Sequence, residues 1–156
     1  TSVLLAWALK IGAILADAPQ PDADNLYKFG EQIGLAFQLQ DDYLDVYGDP
    51  AVFGKAIGGD ILCNKKTYML INAYNRANDE QRATLEKWLN AKDYEPQEKI
   101  KAVTAIYNEI GIDRLAEEKI KYYFDQSRQY LAQVKVDDAR KQVLHAYADA
   151  MLKRKY

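Results

Sequence analysis

The stretch "AFQLQDDYLDVYGDP", residues 36–50, sets three carboxylates, Asp41, Asp42 and Asp45, at the end of an apolar and amide-rich run. On a helix, Asp41 and Asp45 are four residues apart and share nearly one face, with Asp42 beside them and Gln38 one turn earlier. Like charges so placed weaken a helix by roughly a few tenths of a kcal/mol per exposed pair, and by more where water is scarce. A cation offsets that cost. Carboxylates are hard oxygen ligands, and Mg²⁺ is usually held by one or two of them while its remaining positions take water and substrate phosphate. The spacing therefore suits a metal–diphosphate bridge; a solvated acidic helix end is the competing reading. Upstream, "GEQIGLAFQLQ" is polar only through Glu31, its glutamines and its glycines, so this helix is expected to be buried on most sides and to deliver its carboxylates into a cavity.

Downstream, "FGKAIGGDILCNKKT" places Lys55, Lys65 and Lys66 around Gly58, Gly59 and Asp60. Such a mixture can surround an anion near a metal. Residues 48–64 are Gly-rich and read as the one substantial loop.

The remainder of the chain bounds the chemistry. It has 156 residues, enough for one domain with a real core, and its 49% apolar and 28% charged composition with a net charge of −2 is that of a soluble globular protein. A nucleic-acid surface does not fit that charge. Cys63 is the only cysteine and His145 the only histidine, which excludes a disulfide framework and a Cys/His zinc set. The apolar opening "TSVLLAWALKIGAILAD" is interrupted by Lys10 and is short of a membrane span, so a buried core helix is expected there. The single cysteine and the lack of a targeting segment point to a cytoplasmic location.

Apolar periodicity gives an all-α chain with no strand pattern. Helices are expected over about 2–16 and 23–47, then around Met69–Ala77. Asn78 and Gln81 resemble a capping box opening the next helix, and Pro96 suits the first turn of another. Ile100, Val103, Tyr107 and Ile110 line one face of that helix, and Gly111 interrupts it before a stripe from Leu115 to Val134. A last helix over about 138–154 ends in "KRKY".

"FQLQDDYLDVYGDP" followed by "FGKAIGGDILCNKKT" resembles the second aspartate-rich motif and the following diphosphate-binding loop of the short-chain isoprenyl diphosphate synthases, the farnesyl diphosphate synthase-like polyprenyl synthetases. The resemblance runs through the C-terminal helices and covers this whole chain, but only about the second half of a family member. It implies an antiparallel helical bundle of the isoprenoid synthase type, here its C-terminal half as a single all-α region, and a homodimer. It implies a prenyltransferase that joins an allylic diphosphate to isopentenyl diphosphate head to tail with Mg²⁺ as cofactor. By motif, Asp41 would be the principal Mg²⁺ ligand, supported by Asp42 and Asp45. Lys55 and Lys65 would contact the allylic diphosphate, and Asp60 would orient Lys55 or a metal-bound water.

Phe37 and Gln38 match positions near isopentenyl diphosphate and the reacting carbons, with a core aromatic the equal alternative for Phe37. Thr1 matches the Thr of a Lys-Thr pair that helps stabilise the carbocation. Lys153, Arg154 and Lys155 resemble a basic tail over isopentenyl diphosphate, or cations suited to a helix C-terminus. The family's first DDxxD has no counterpart here, so the isolated chain is expected not to turn over; a fragment of a longer enzyme, a gene model begun too late and a complementing half are the explanations left open. A non-catalytic partner of a complete synthase and a class I terpene cyclase are the alternative readings.

Overall fold

Helix signals in the sequence are realised with few displacements in the computed structural model, which describes residues 1–49 and 57–153. Among the described residues there are eight helices and no strand: α1 (Ser2–Leu15), α2 (Gln20–Tyr47), α3 (Gly59–Leu62), α4 (Tyr68–Arg76), α5 (Asp79–Asn90), α6 (Pro96–Ile110), α7 (Ile112–Gln133) and α8 (Asp138–Leu152). The starts have local causes. Thr67 Oγ1 accepts from the Leu70 N–H at the head of α4. Asn78 and Gln81 form the expected capping box on α5, and Glu95 caps α6 with Pro96 in its first turn. Each satisfies N–H groups that a helix terminus otherwise leaves without partners. The break at Gly111 separates α6 from α7 as expected.

The chain divides into two compact units. Among the described residues, one comprises Thr1–Leu39 and 118–153, and the other comprises 40–49 and 57–117. Helices α2 and α7 each contribute a segment to both.

In the first unit α1 lies directly against α2. A Cβ at Gly34 would stand 2.5 Å from the Ser2 Cα, so only a glycine permits this approach. Ser2 Oγ donates to the Glu31 carbonyl at 2.9 Å, and Trp7 meets Tyr27 edge to face at 5.4 Å. The contact is made by the small side of α1: its buried residues are Ala6 and Ala13. The expectation of a buried core helix is corrected here, since Leu4 is 77% and Leu15 80% exposed and Trp7, Ile11 and Ile14 are exposed too. The physical reason is that α1 spends its small residues on the close approach, which leaves Leu4, Ile11, Ile14 and Leu15 outside it, while Trp7 keeps only its edge-to-face contact with Tyr27. Phe29, Ile33, Phe124, Leu131 and Ala148 are among the buried residues of this unit. No described helix is long and apolar enough to cross a membrane.

In the second unit Val46, Ile61, Met69, Ala73, Leu85, Val103, Ile106, Tyr107, Ile112 and Ala116 form one core. Burying each Leu, Ile, Val or Met of this kind contributes about 1.5–3 kcal/mol relative to exposure. The Gly-rich composition of 48–64 predicts a loop without helix; within it, Gly59–Leu62 form the short α3. Its Ile61 joins the core, and that tertiary anchor outweighs the low helix preference of the flanking glycines.

Candidate active site

The acidic residues occupy the last two turns of α2. Asp42 and Asp45 are both half-buried. Asp42 Oδ1 accepts from Lys65 Nζ at 2.8 Å, and the same ammonium reaches Asp60 Oδ2 at 2.8 Å. Asp45 faces the start of α3, where its Oδ2 accepts from the Asp60 N–H at 2.9 Å. The Asp45 carbonyl accepts from the Gly58 N–H at 2.6 Å.

Gly58 has φ 88° and a Cβ there would stand 2.6 Å from the Ile100 side chain. Conformation and space both demand glycine at this turn. The consequence is a close seat for α3 against the end of α2, which brings Asp60 and Lys65 to Asp42.

Electrostatics follow from this packing. Desolvation by burial raises the Asp42 carboxyl above its ordinary range, and the neighbouring Lys65 opposes the shift only in part. Burial likewise raises Asp45, against the N–H groups that favour its charged form. Hydrogen bonds to Asp42 and then Asp60 raise Lys65. The two members of the Asp42–Lys65 pair therefore report different dominant forces: Asp42 is the more buried partner and feels desolvation most, whereas Lys65, with 53% of its side chain exposed, feels two carboxylates. Among the described residues, the three carboxylates of Asp42, Asp45 and Asp60 gather around the Lys65 ammonium and leave a negative excess, which a hard cation would relieve.

The motif residues are thus brought together in part. Asp42, Asp45, Asp60 and Lys65 form one cluster. Asp41 is half-buried one turn before Asp45. Among the described residues no group of three or more acidic, histidine or cysteine side chains is arranged to hold a metal ion. Asp42 is engaged with Lys65 and Asp45 with the α3 backbone.

In the first unit, Thr1 and Phe37 line a single open hollow of about 540 Å³ together with Leu4, Leu5, Tyr147 and Met151. Gln38 is exposed. Lys153 is exposed at the end of α8. Lys55, Arg154 and Lys155 lie outside the described residues.

Sequence reasoning missed the support beneath Lys65. Lys99 Nζ is 2.7 Å from Asn64 Oδ1, and the Tyr94 hydroxyl donates to the Leu62 carbonyl at 3.2 Å. A signal existed: Lys99 falls on the stripe of Val103, Ile106 and Tyr107, the buried face of α6.

An all-α chain with this acidic helix end and glycine turn matches the family model described as polyprenyl synthetase over residues 1–107, and the chain belongs to that family. It is 32% identical over 156 residues to the short chain isoprenyl diphosphate synthase of Methanothermobacter thermautotrophicus, covering 100% of this chain and 47% of that protein. It resembles a crystal structure of geranylgeranyl pyrophosphate synthase with TM-score 0.89 and 32% identity, covering 100% of this chain and 49% of that one. It also resembles the geranylgeranyl pyrophosphate synthase of Corynebacterium glutamicum complexed with isoprenyl diphosphate and magnesium, with TM-score 0.84 and 31% identity over 96% of this chain and 42% of that one. The chain spans about half the length of the Methanothermobacter relative.

Proposed function

We propose that the protein carrying this chain is a Mg²⁺-dependent prenyltransferase that condenses an allylic diphosphate with isopentenyl diphosphate, head to tail, and releases pyrophosphate. The observation that carries the reading is the cluster of Asp42, Asp60 and Lys65, with Asp45 fixing α3 beside it. The similarity to named isoprenyl diphosphate synthases supports it, as does the Corynebacterium synthase complexed with isoprenyl diphosphate and magnesium.

The chemistry of the donor set, rather than its present arrangement, fits the ion. Asp41, Asp42 and Asp45 offer hard oxygens, and the Lys65 ammonium at Asp42 and Asp60 is a stand-in cation already attracted to that charge. These three aspartates would hold Mg²⁺, which when bound would stabilise charge developing on the departing diphosphate. Lys65, and Lys55 by motif, contribute positive charge toward the diphosphate. Asp60 holds Lys65 in place through its side chain and through its carbonyl, which accepts from the Lys65 N–H at 3.0 Å. Thr1 and Phe37 border the apolar hollow suited to a hydrocarbon group. A homodimer belongs to the same reading, supported by the uncovered apolar side chains of α1. Cys63, exposed as a free thiol, suits a reducing compartment, and we assign the cytoplasm.

Asp41→Ala in the complete protein tests the assignment. Transfer of labelled isopentenyl diphosphate to an allylic diphosphate should fall by about a hundredfold or more with the helical circular dichroism retained. Unchanged turnover would sink it.

A further inference from the structure

Lys99 is 1% exposed, and among the described residues no carboxylate lies within ion-pair distance of it. Its ammonium sits 2.7 Å from Asn64 Oδ1, 3.4 Å from the Leu62 carbonyl and 4.5 Å from the centre of the Tyr94 ring. A buried ammonium without an anion is costly, and an apolar residue of similar volume on the same stripe of α6 would satisfy packing alone. The Lys99 donors converge on one turn, at Leu62 and Asn64. Asn64 has a left-handed backbone with φ 52°, and its Nδ2 donates to the Leu89 carbonyl at 3.0 Å. The Asn64 amide is therefore held at both ends, by α6 and by the end of α5. The Leu62 carbonyl accepts from both Lys99 and Tyr94. Immediately after this pinned turn comes Lys65, whose ammonium spans Asp42 and Asp60. Lys99, Asn64, Lys65 and Asp60 line the same small interior space.

We propose that Lys99 is a positioning residue: its buried ammonium pins the Leu62–Asn64 turn, and the turn sets Lys65 between Asp42 and Asp60. The consequence for diphosphate binding rests on the prenyltransferase reading above; the consequence for the turn does not. A fully buried side chain thereby governs the affinity of an anion site that it never touches, in the way that groups behind a ligand orient it.

The test is Lys99→Met in the full protein, which keeps the volume and stem but removes every donor. Amide hydrogen exchange at Asn64 and Lys65 should accelerate by about tenfold or more while exchange at Leu85 and Val103 stays as in the wild type. Affinity for inorganic pyrophosphate with Mg²⁺, measured by titration calorimetry, should fall by about ten- to a hundredfold. Asn64→Gly serves as the second variant, because glycine accepts the left-handed backbone and only the amide is lost; it should reproduce both changes, and it decides the matter if Lys99→Met does not fold. Wild-type exchange at the turn in the folded variants would overturn the proposal, as would acceleration spread evenly over the core. If the wild type itself fails to bind pyrophosphate with Mg²⁺, the prenyltransferase reading falls, and local exchange at Asn64 and Lys65 still decides the role of Lys99.

Discussion

At the end of α2 the chain supplies partners for its own polar groups, whereas on α1 it leaves large apolar side chains without cover. Asp42 has Lys65, Asp45 has the Asp60 N–H, and Lys65 has two carboxylates. On α1, Leu4 and Leu15 stand largely in solvent, although this is the most apolar segment of the chain. Polarity alone therefore does not locate the buried residues of this chain. The half-buried region is the acidic one, held by specific hydrogen bonds, and the exposed region is the apolar one, turned outward by a contact between small residues.

Lys65 is where this contrast is most easily destroyed. Lys65→Ala leaves Asp42 and Asp60 close together without their shared cation, and prenyl transfer should drop about a hundredfold in a steady-state assay. The stability change in urea should stay near 1 kcal/mol because Lys65 is largely exposed. A large stability loss with normal turnover would make the cluster a structural clamp.

Gly58→Ala strikes the same acidic end through its backbone. The left-handed φ and the collision with Ile100 should together remove about 2–4 kcal/mol of folding stability by denaturant titration. In a double-mutant cycle with Ile100→Ala, the Gly58→Ala loss should shrink by its steric share and keep its conformational share.

A third test is alkaline. Burial raises the Tyr107 hydroxyl above the tyrosine value of 10.0, with Tyr47 and Asp60 adding to the effect. The folded state thus keeps a proton that the unfolded chain releases. Its contribution to stability is complete below pH of about 10 and is lost as pH rises through the raised folded value. Melting temperatures should therefore fall above that pH, and Tyr107→Phe should flatten the decline.

The smallest effect is expected on α1. Leu4→Lys or Leu15→Glu should change the stability of the folded chain by no more than about 0.5 kcal/mol. Sedimentation velocity should show weaker self-association if the apolar side chains are covered by a second copy. A loss of several kcal/mol would mean that α1 is packed within the chain after all.

Much of this arrangement is legible in the sequence where local chemistry decides. Asn78 with Gln81, Pro96 and Gly111 mark helix boundaries through hydrogen bonds or backbone preferences that act within a few residues. The acidic motif and Lys65 are also visible, since their charge pattern is contiguous. The outward turn of α1 is not legible, because periodicity reports how apolar a helix is and not which side meets a neighbour. The short α3 escapes for a related reason: it exists through Ile61 in the core and Asp45 at its start, neither of which a Gly-rich stretch announces. Lys99 is hidden because a search for apolar stripes skips a lysine even when it stands at a buried position.

If this acidic helix end serves a metal-dependent prenyl transfer, activity must follow the metal and the metal must answer to Asp42. The decisive measurement is product formation by the complete protein from an allylic diphosphate and labelled isopentenyl diphosphate across a Mg²⁺ titration. Transfer should vanish after chelation and recover saturably as Mg²⁺ is restored, with the recovery curve displaced to higher Mg²⁺ in Asp42→Asn. Transfer that persists at full rate without divalent cation, or an Asp42→Asn curve that overlies the wild type, would contradict it.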